Sequence, residues 1–355
     1  MKITSVTAQA EHLKPSRAAD AYAGQESLTF VRCRVETDEG LAGHGVTGRF
    51  LAAEVVHLLE HGFSTTVTGR DALDIEAITA TLVRAFNPRG STGVFVSALS
   101  ALDLALWDLK GQRLGLPVAR LIGGARDKVA AYATAGLPAF SEAELVGACT
   151  TALDQGYRGV KMLVGAGRSV EEDVQRIRAV RRAIGDAPLM LDANCAYTVG
   201  DAKRLAHRVG DCSIEFFEEP VRGNDLVALA ELRRASPIPL ASGQMIQSMT
   251  WFRDALAQGA LDVLQPNAAF CGGLSAMLRV LAMAEAHGVP VTGAGGFESA
   301  CLPAMAGHRH GGMLEVHGAH GALRARFSHH PEYRDGWLHV PEAPGLGFAL
   351  RGDQG

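Results

Sequence analysis

The sequence lacks several features that would place it in a special class of protein. It contains no run of 18 apolar residues, no block of like charges and no low-complexity segment. The first absence argues against a membrane-spanning helix, and the net charge of −4 gives no electrostatic basis for binding nucleic acid or an anionic membrane. With 47% hydrophobic and 20% charged residues, the composition is that of an ordinary globular protein.

Paired cysteines are also missing. The six cysteines are scattered along the chain, and none forms a Cys-x-x-Cys motif. This pattern fits reduced thiols better than a disulfide framework. The first residues, Met-Lys-Ile-Thr-Ser-Val, lack the apolar core of a secretory signal. We therefore expect a cytoplasmic protein.

The pattern of apolar residues divides the chain into three parts. Residues 1 to about 60 alternate as strands do, with a turn at 38–40, and helical spacing then continues to about residue 124. We assign 1–125 to an N-terminal α+β capping domain and 126–325 to a modified TIM barrel. The Pro- and Gly-rich segment 326–355 lacks the repeat, and we expect it to return to the capping domain.

The middle of the chain alternates between strands and helices. Eight strand candidates with seven helices between them, among them 171–184 and 274–287, predict a (β/α)7β TIM-like barrel of the α/β class. A doubly wound open sheet is the alternative. The strand candidates are 129–135, 157–164, 188–193, 214–219, 239–243, 261–266, 290–294 and 312–317.

Three polar residues follow successive apolar runs at intervals of 26 positions: Asp192, Glu218 and Gln244. About 26 residues correspond to one strand, one helix and two loops, so these side chains are expected at one end of the barrel. Oxygen ligands of this kind bind Mg²⁺. Because Gln244 offers a neutral carbonyl oxygen, we expect binding to be weak. Glu219 is expected to point the other way, as strand alternation requires.

Several motifs resemble the mandelate racemase and muconate lactonizing enzyme branch of the enolase superfamily. They lie at 105–118, 156–161, 217–220, 265–273 and 341–347 and span most of the chain. The resemblance implies a homo-oligomer in which Mg²⁺, held by three carboxylates, binds a substrate carboxylate while a base removes the α proton. Asp192 and Glu218 match the first two ligands, and Gln244 replaces the third.

The usual bases of that family are missing. The family's second lysine on strand two corresponds to Leu163, and its His and Asp on strands seven and six correspond to Ala294 and Asn267. Lys161 remains as a candidate catalytic base, provided that burial lowers its pKa towards 7. It is equally a candidate contact for the substrate carboxylate, or a structural partner of Asp192.

Six further polar residues are candidates for binding the substrate, and four histidines lie near the predicted end of the barrel. Asn194, Asn267 and Glu315 follow predicted strands, and Arg17, Tyr22 and Arg49 lie where the family has its specificity loops. Four histidines crowd the end of the barrel, and their irregular spacing predicts exposed loop residues rather than a metal cluster. They are His308, His310, His317 and His320.

Three functional hypotheses follow. The first is a lyase or isomerase that removes an α proton from a small carboxylic acid, such as a sugar acid dehydratase. The second is a non-catalytic relative that binds a carboxylate ligand. The third is an enzyme of altered chemistry whose base comes from a loop or from Lys161. In each case the expected partner is a small-molecule carboxylate, and not nucleic acid or a membrane.

Overall fold

The structure is a computed structural model that describes residues 1–13, 28–86 and 92–350. Its N-terminal part is a three-stranded antiparallel sheet covered by helices. The strands are Ile3–Leu13, Leu28–Thr37 and Ala42–Thr47, and the helices are Ala52–His57, the π-helix Leu58–Phe63, Ser64–Val67, Ile75–Phe86, Val94–Leu114 and Val118–Ile122.

The helix Val94–Leu114 joins the two domains and is buried on almost every side. A helix is apolar all round when protein covers all its faces. On one side the strand Ala42–Thr47 approaches so closely that a Cβ at Gly45 would lie 1.9 Å from the Ala101 carbonyl oxygen. On the other side the half-buried Trp107 donates a hydrogen bond to Ser275 of the barrel (2.9 Å).

Eight parallel segments form a closed barrel, all of them within residues 92–350. The eighth strand pairs with the first, with Glu315 opposite Tyr132. Three short helical turns, Gly210–Cys212, Arg222–Asn224 and Gly318–His320, and the helix Gly321–Arg324 complete the loops. The strands are Lys128–Gly136, Val160–Leu163, Leu189–Asp192, Ile214–Glu218, Leu240–Ser242, Val263–Leu264 and Leu314–His317; the helices are Glu142–Asp154, Val170–Ile184, Val199–Arg208, Leu226–Ala235, Met249–Ala257, Leu274–His287 and Glu298–Gly307.

The seventh strand differs from the prediction for 290–294. It is reduced to two single bridges, Val291 with Leu264 and Gly293 with Leu314. Gly293 passes so close to the eighth strand that a Cβ there would lie 2.3 Å from the Leu314 side chain. The chain then leaves the extended conformation, because Gly295 and Gly296 have positive φ angles of 79° and 70°. The short strand leaves a glycine-rich turn beside the barrel mouth.

The C-terminal segment contacts both parts of the protein. Its strand Trp337–His339 pairs antiparallel with the first barrel strand, and the backbone N–H of Leu346 donates to Asp108 in the junction helix (2.8 Å). Two more strands, Phe327–His329 and Ala349–Leu350, pair with each other, and Tyr333–Arg334 forms a hairpin with Trp337–His339. The exact domain boundaries stay a prediction. No helix in the described part of the chain has the length and apolar character needed to cross a bilayer.

Asp108 should be important for the stability of this junction. It accepts hydrogen bonds from the backbone N–H groups of Leu346 and His44 and from the Gln112 amide (2.8, 3.0 and 2.9 Å). Asp108→Ala leaves three donors unpaired, and we expect a loss of about 3 kcal/mol or more in the free energy of unfolding. Denaturant unfolding measures it, with the exposed Asp186→Ala as control; equal midpoints for the two variants would contradict this role.

Candidate active site

Side chains pointing into the barrel form layers. The lowest layer is apolar and contains Tyr132, Met190, Phe216 and Ala241, all buried. Two residues further along each strand, towards the carboxyl end, the inward side chains become polar. Asp192 and Glu218 lie in this second layer, which forms the floor of the barrel mouth. Lys161 starts one step deeper, opposite Met190, and its side chain reaches up to both carboxylates. This position at the carboxyl ends of the strands is where TIM-barrel enzymes place their active sites.

Lys161 lies among three buried carboxylates. Its Nζ is 2.7 Å from Glu218, 3.1 Å from Glu315 and 3.3 Å from Asp192. The four residues come from strands two, three, four and eight, so the barrel brings together side chains separated by up to 154 positions, from 161 to 315. Three carboxylates against one ammonium leave an excess of two formal negative charges when all are ionised.

Neighbouring groups complete the hydrogen bonds of this cluster. Thr134 donates to Glu315, which also accepts the backbone N–H of Gly296 (2.9 Å). Gln265 donates its amide N–H to Glu218 Oε2 (2.9 Å). Within the described residues, however, Glu218 Oε1 and Gln265 Oε1 are buried and accept no hydrogen bond. A buried carboxylate oxygen without a donor is costly, and a bound cation removes that cost.

The predicted role of Lys161 as a base depends on its charge state. Burial by itself lowers the pKa of Lys161, but the surrounding carboxylates favour the ammonium more strongly, so its pKa lies well above the ordinary value. A base must be unprotonated near neutral pH. Without a bound cation the carboxylates favour the charged form of Lys161, with Glu218 nearer than Asp192. The role of Lys161 as a base stays a prediction.

The carboxylates respond to burial in different ways. Burial, together with the charge of Asp192, raises the pKa of Glu218 well above its usual value. Burial also raises the pKa of Asp192. For Glu315, burial again raises the pKa, but the Lys161 ammonium and hydrogen bonds from Thr134 and Gly296 outweigh it and hold the pKa at about 2. Glu315 is thus ionised, whereas burial disfavours the ionised forms of Asp192 and Glu218 until a cation compensates their charge.

Gln244 and Glu219 contact each other, contrary to the expectation that Glu219 points away. The Gln244 amide donates to Glu219 Oε2 (2.8 Å), and Asn224 donates to Glu219 Oε1 (2.8 Å). Strand four ends at Glu218, and Glu219 adopts a left-handed φ of 43°. Alternation applies only within extended backbone, so it fails at this residue. Gln244 itself lies two residues beyond strand five, after Gly243 with φ 134°.

The other predicted substrate contacts have different surroundings. Asn194 is exposed, and its backbone N–H donates to Asp192 (2.9 Å). Asn267 is fully buried, and its amide group donates to the carbonyl oxygens of Ala294 and Gly296 (2.6 and 2.9 Å), so it supports the turn after strand seven. Arg49 is exposed and lies 5.1 Å above the Phe50 ring.

Two predicted contacts, Arg17 and Tyr22, lie outside the described residues. The two positions that carry bases in the family are filled as the sequence indicated. Leu163 and Ala294 are both buried and apolar. Neither side chain can accept or donate a proton.

The histidines differ from the prediction of exposed loop residues. His317 is buried, and its ring stacks on that of the partly buried His320, with centroids 4.7 Å apart. His308 and His310 are also only partly exposed. His317 follows Glu315 by two residues in strand eight and therefore shares its inward face. This spacing was the signal in the sequence that could have identified His317 as a site residue.

The oxygen ligands fit a weakly bound divalent cation. Within the described residues, no three His, Cys, Asp or Glu side chains are grouped so as to hold a metal ion. Asp192 and Glu218 could provide two hard carboxylate ligands, with the unpaired Glu218 Oε1 among their atoms. A third oxygen must then come from a neutral group, for which Gln244 is the predicted candidate. Two charges instead of three lower the affinity for Mg²⁺.

Comparisons with known proteins agree with this architecture. The D-galactarolactone cycloisomerase of Agrobacterium fabrum is 33% identical over 99% of this chain and 97% of its own. The arabinonate dehydratase of Saccharolobus solfataricus is 29% identical over 96% and 94%. Among solved structures, a racemase from Streptomyces coelicolor with bound magnesium has a TM-score of 0.90, at 29% identity over 98% and 97% of the two chains.

Two sequence families account for most of the chain. Residues 2–123 match the mandelate racemase / muconate lactonizing enzyme N-terminal domain, and residues 144–354 match the enolase C-terminal domain-like family. The match, the closed barrel and the carboxylates at its mouth agree with one another. The chain therefore belongs to the mandelate racemase and muconate lactonizing enzyme branch of the enolase superfamily.

Proposed function

We propose that this protein is a Mg²⁺-dependent lyase or isomerase that acts on a sugar acid, with dehydration as its main reaction. The observation that carries the proposal is the cluster of buried carboxylates at the barrel mouth, with one oxygen of Glu218 left unpaired. The compared relatives are named as a dehydratase and a cycloisomerase of sugar acids, and a solved relative contains magnesium. Neither relative favours the non-catalytic alternative.

In this proposal Asp192 and Glu218 hold the cation, with Gln244 as a neutral third ligand. When bound, Mg²⁺ supplies positive charge that stabilises the negative charge developing on a substrate carboxylate. Lys161 keeps the two carboxylates at a fixed separation and lowers their mutual repulsion. Glu315 is held by Thr134, Lys161 and Gly296, so its position is fixed before a substrate arrives.

In dehydration a base takes the α proton, the β-hydroxyl group leaves as water after gaining a proton, and the resulting enol becomes an α-keto acid. Lys161 or a loop group remains the predicted base. The direct test is to incubate the protein and Mg²⁺ with a panel that includes arabinonate and D-galactarolactone, and to follow the α-keto acid and lactone ring opening. We expect turnover of at least one sugar acid. No turnover across a broad panel would support the non-catalytic relative. A cytoplasmic location and a homo-oligomeric state stay predictions.

His317 is the group in the described part of the mouth that we propose to contact a substrate hydroxyl. Its Nδ1 accepts the backbone N–H of Ala319 (3.1 Å), which places the ring proton of the neutral form on Nε2. Burial lowers the pKa of His317 to about 4 despite the nearby charge of Glu315. The ring is therefore neutral above that pH, and it presents an N–H donor rather than an acid.

His317→Ala should lower kcat/KM by roughly 10- to 100-fold, because one hydrogen bond to the substrate is lost in a buried site. His317→Gln, whose amide can take the place of Nε2, should retain more activity than His317→Asn, whose amide takes the place of Nδ1. The pKa of about 4 also predicts that the contribution of His317 stays constant between about pH 5 and 8. Equal activities of the Gln and Asn variants, or a His317-dependent change near pH 6.5, would contradict this role.

A further inference from the structure

A buried chain of hydrogen bonds leads from strand five to Gln244 through the loop after strand four. Ser242 donates to Asn224 Oδ1, Asn224 donates to Glu219 Oε1, and Gln244 donates to Glu219 Oε2, each at 2.8 Å. All four residues are buried. The function proposed above uses Gln244 as a predicted metal ligand but gives no role to the other three residues of this hydrogen-bonded series.

The chemistry of the chain determines how each amide is turned. Asn224 and Gln244 both present their NH₂ groups to Glu219, which accepts one hydrogen bond on each carboxylate oxygen. The Ser242 hydroxyl donating to Asn224 Oδ1 agrees with that orientation. It follows that the carbonyl oxygen of Gln244 faces away from Glu219. That oxygen lies 3.1 Å from where a Cβ at Gly295 would be, beside the glycine-rich turn at the barrel mouth.

The backbone is strained to make these contacts. Glu219 and Asn224 have left-handed φ angles of 43° and 50°, although neither is glycine. Each such residue costs on the order of 1–2 kcal/mol, and such conformations persist where surrounding interactions require them. These two residues are Glu219 itself and Asn224, whose amide donates to Glu219 on the oxygen opposite the one that Gln244 contacts. The loop is therefore shaped to place this carboxylate beside the Gln244 amide.

We propose that Glu219 is a positioning residue that fixes Gln244 with its carbonyl oxygen towards the barrel mouth, as the neutral third ligand of the Mg²⁺ site. The inference rests on the proposed function for the identity of the cation.

The test is a reciprocal exchange of the two side chains. Glu219→Gln, Gln244→Glu and the double variant that combines both substitutions are compared with the unaltered protein. The double variant has the same total charge as the unaltered protein. In it, the amide introduced at position 219 can donate to the carboxylate introduced at position 244, while the carbonyl oxygen of that amide accepts from Asn224. Both hydrogen bonds are thus restored, with the charge moved to the ligand. Gln258→Glu, at the exposed C-terminal end of helix Met249–Ala257, controls for the added charge.

Mg²⁺ binding is measured by calorimetric titration of metal-free protein, and thermal melting of each variant shows that it is folded. Removing a group that orients a metal ligand costs roughly 10- to 100-fold in metal affinity, so Glu219→Gln should bind Mg²⁺ that much more weakly. The double variant should bind Mg²⁺ at least about tenfold more tightly than Glu219→Gln. Its affinity should also be higher than the value expected from multiplying the fold-changes of the two single variants. Gln258→Glu should bind as the unaltered protein does.

Unchanged affinity in Glu219→Gln, or single effects that combine independently in the double variant, would overturn the inference. So would the absence of Mg²⁺ binding in all four proteins at about 10 mM, above the range of weak protein oxygen sites. Failure of the proposed function is a separate result. If the exchange restores Mg²⁺ affinity while no sugar acid is converted, Glu219 keeps its positioning role and only the proposed reaction is wrong.

Discussion

Lys161→Met is expected to be strongly destabilising, although it replaces a polar core residue by an apolar one of similar length. The substitution leaves Asp192, Glu218 and Glu315 buried together without the ammonium that lies 2.7–3.3 Å from each. Removing one partner of a buried ion pair costs about 3–5 kcal/mol, because an uncompensated charge remains.

The pKa of Glu218, which burial already raises, should rise further in the variant. Since the folded-state pKa then lies above that of the unfolded chain, the stability of the variant should fall as the pH increases.

Chemical denaturation at several pH values measures this effect. Lys203→Met is the control, since Lys203 makes a surface ion pair with Glu231 at the same distance of 2.7 Å and should contribute almost nothing. Mg²⁺ should restore part of the stability of Lys161→Met, because a divalent cation can take the place of the ammonium among the carboxylates. If Lys161→Met were as stable as Lys203→Met, the ion cluster would not exist in solution.

The second large effect concerns stereochemistry. Racemization requires a proton to leave one face of the α carbon and return on the other, and the two positions that provide these groups in the family are Leu163 and Ala294. Both are buried hydrocarbon side chains, and Asn267 is engaged with Ala294 and Gly296. We therefore expect inversion at the α carbon to be at least about a hundredfold slower than dehydration, which is the lower bound for the contribution of a missing acid–base group.

The measurement is nuclear magnetic resonance of each sugar acid in D₂O with enzyme and Mg²⁺. Deuterium should enter the product or the recovered substrate without formation of the epimer. Leu163→Lys restores an amine next to Asp192, its register partner on strand three, and should introduce exchange on that face. Leu163→Met is the control of similar size. Rapid inversion by the unaltered protein would show that another pair of groups performs two-sided proton transfer.

Part of the site follows directly from spacing along the chain. The interval of 26 residues from Asp192 to Glu218 predicted two equivalent strand ends, and the two residues are register partners in neighbouring parallel strands. The same interval from Glu218 to Gln244 does not give an equivalent position. Gln244 lies beyond the end of strand five because Gly243, with φ 134°, turns the chain there. A Cβ at Gly243 would lie 2.9 Å from the Phe252 ring, so only glycine fits this turn.

Other parts of the site depend on contacts between distant strands. The sequence showed Lys161 as a possible base, since a buried lysine can lose its proton when no anion is near. Whether anions are near depends on strands two, four and eight meeting at the barrel mouth, and that arrangement raises the pKa of Lys161 instead of lowering it. Glu219 was misplaced for a related reason, because alternation holds only while the backbone stays extended, and its left-handed φ was not visible in the sequence.

The sequence by itself determined the alternation of strands and helices, the family and the absence of the usual bases at Leu163 and Ala294, because periodicity and residue identity are local properties of the chain. The tertiary structure alone decided the ion partners of Lys161, the contact between Glu219 and Gln244 and the burial of His317. Each of these depends on electrostatic or hydrogen-bond partners that the closed barrel brings within about 3–5 Å, where such interactions become strong.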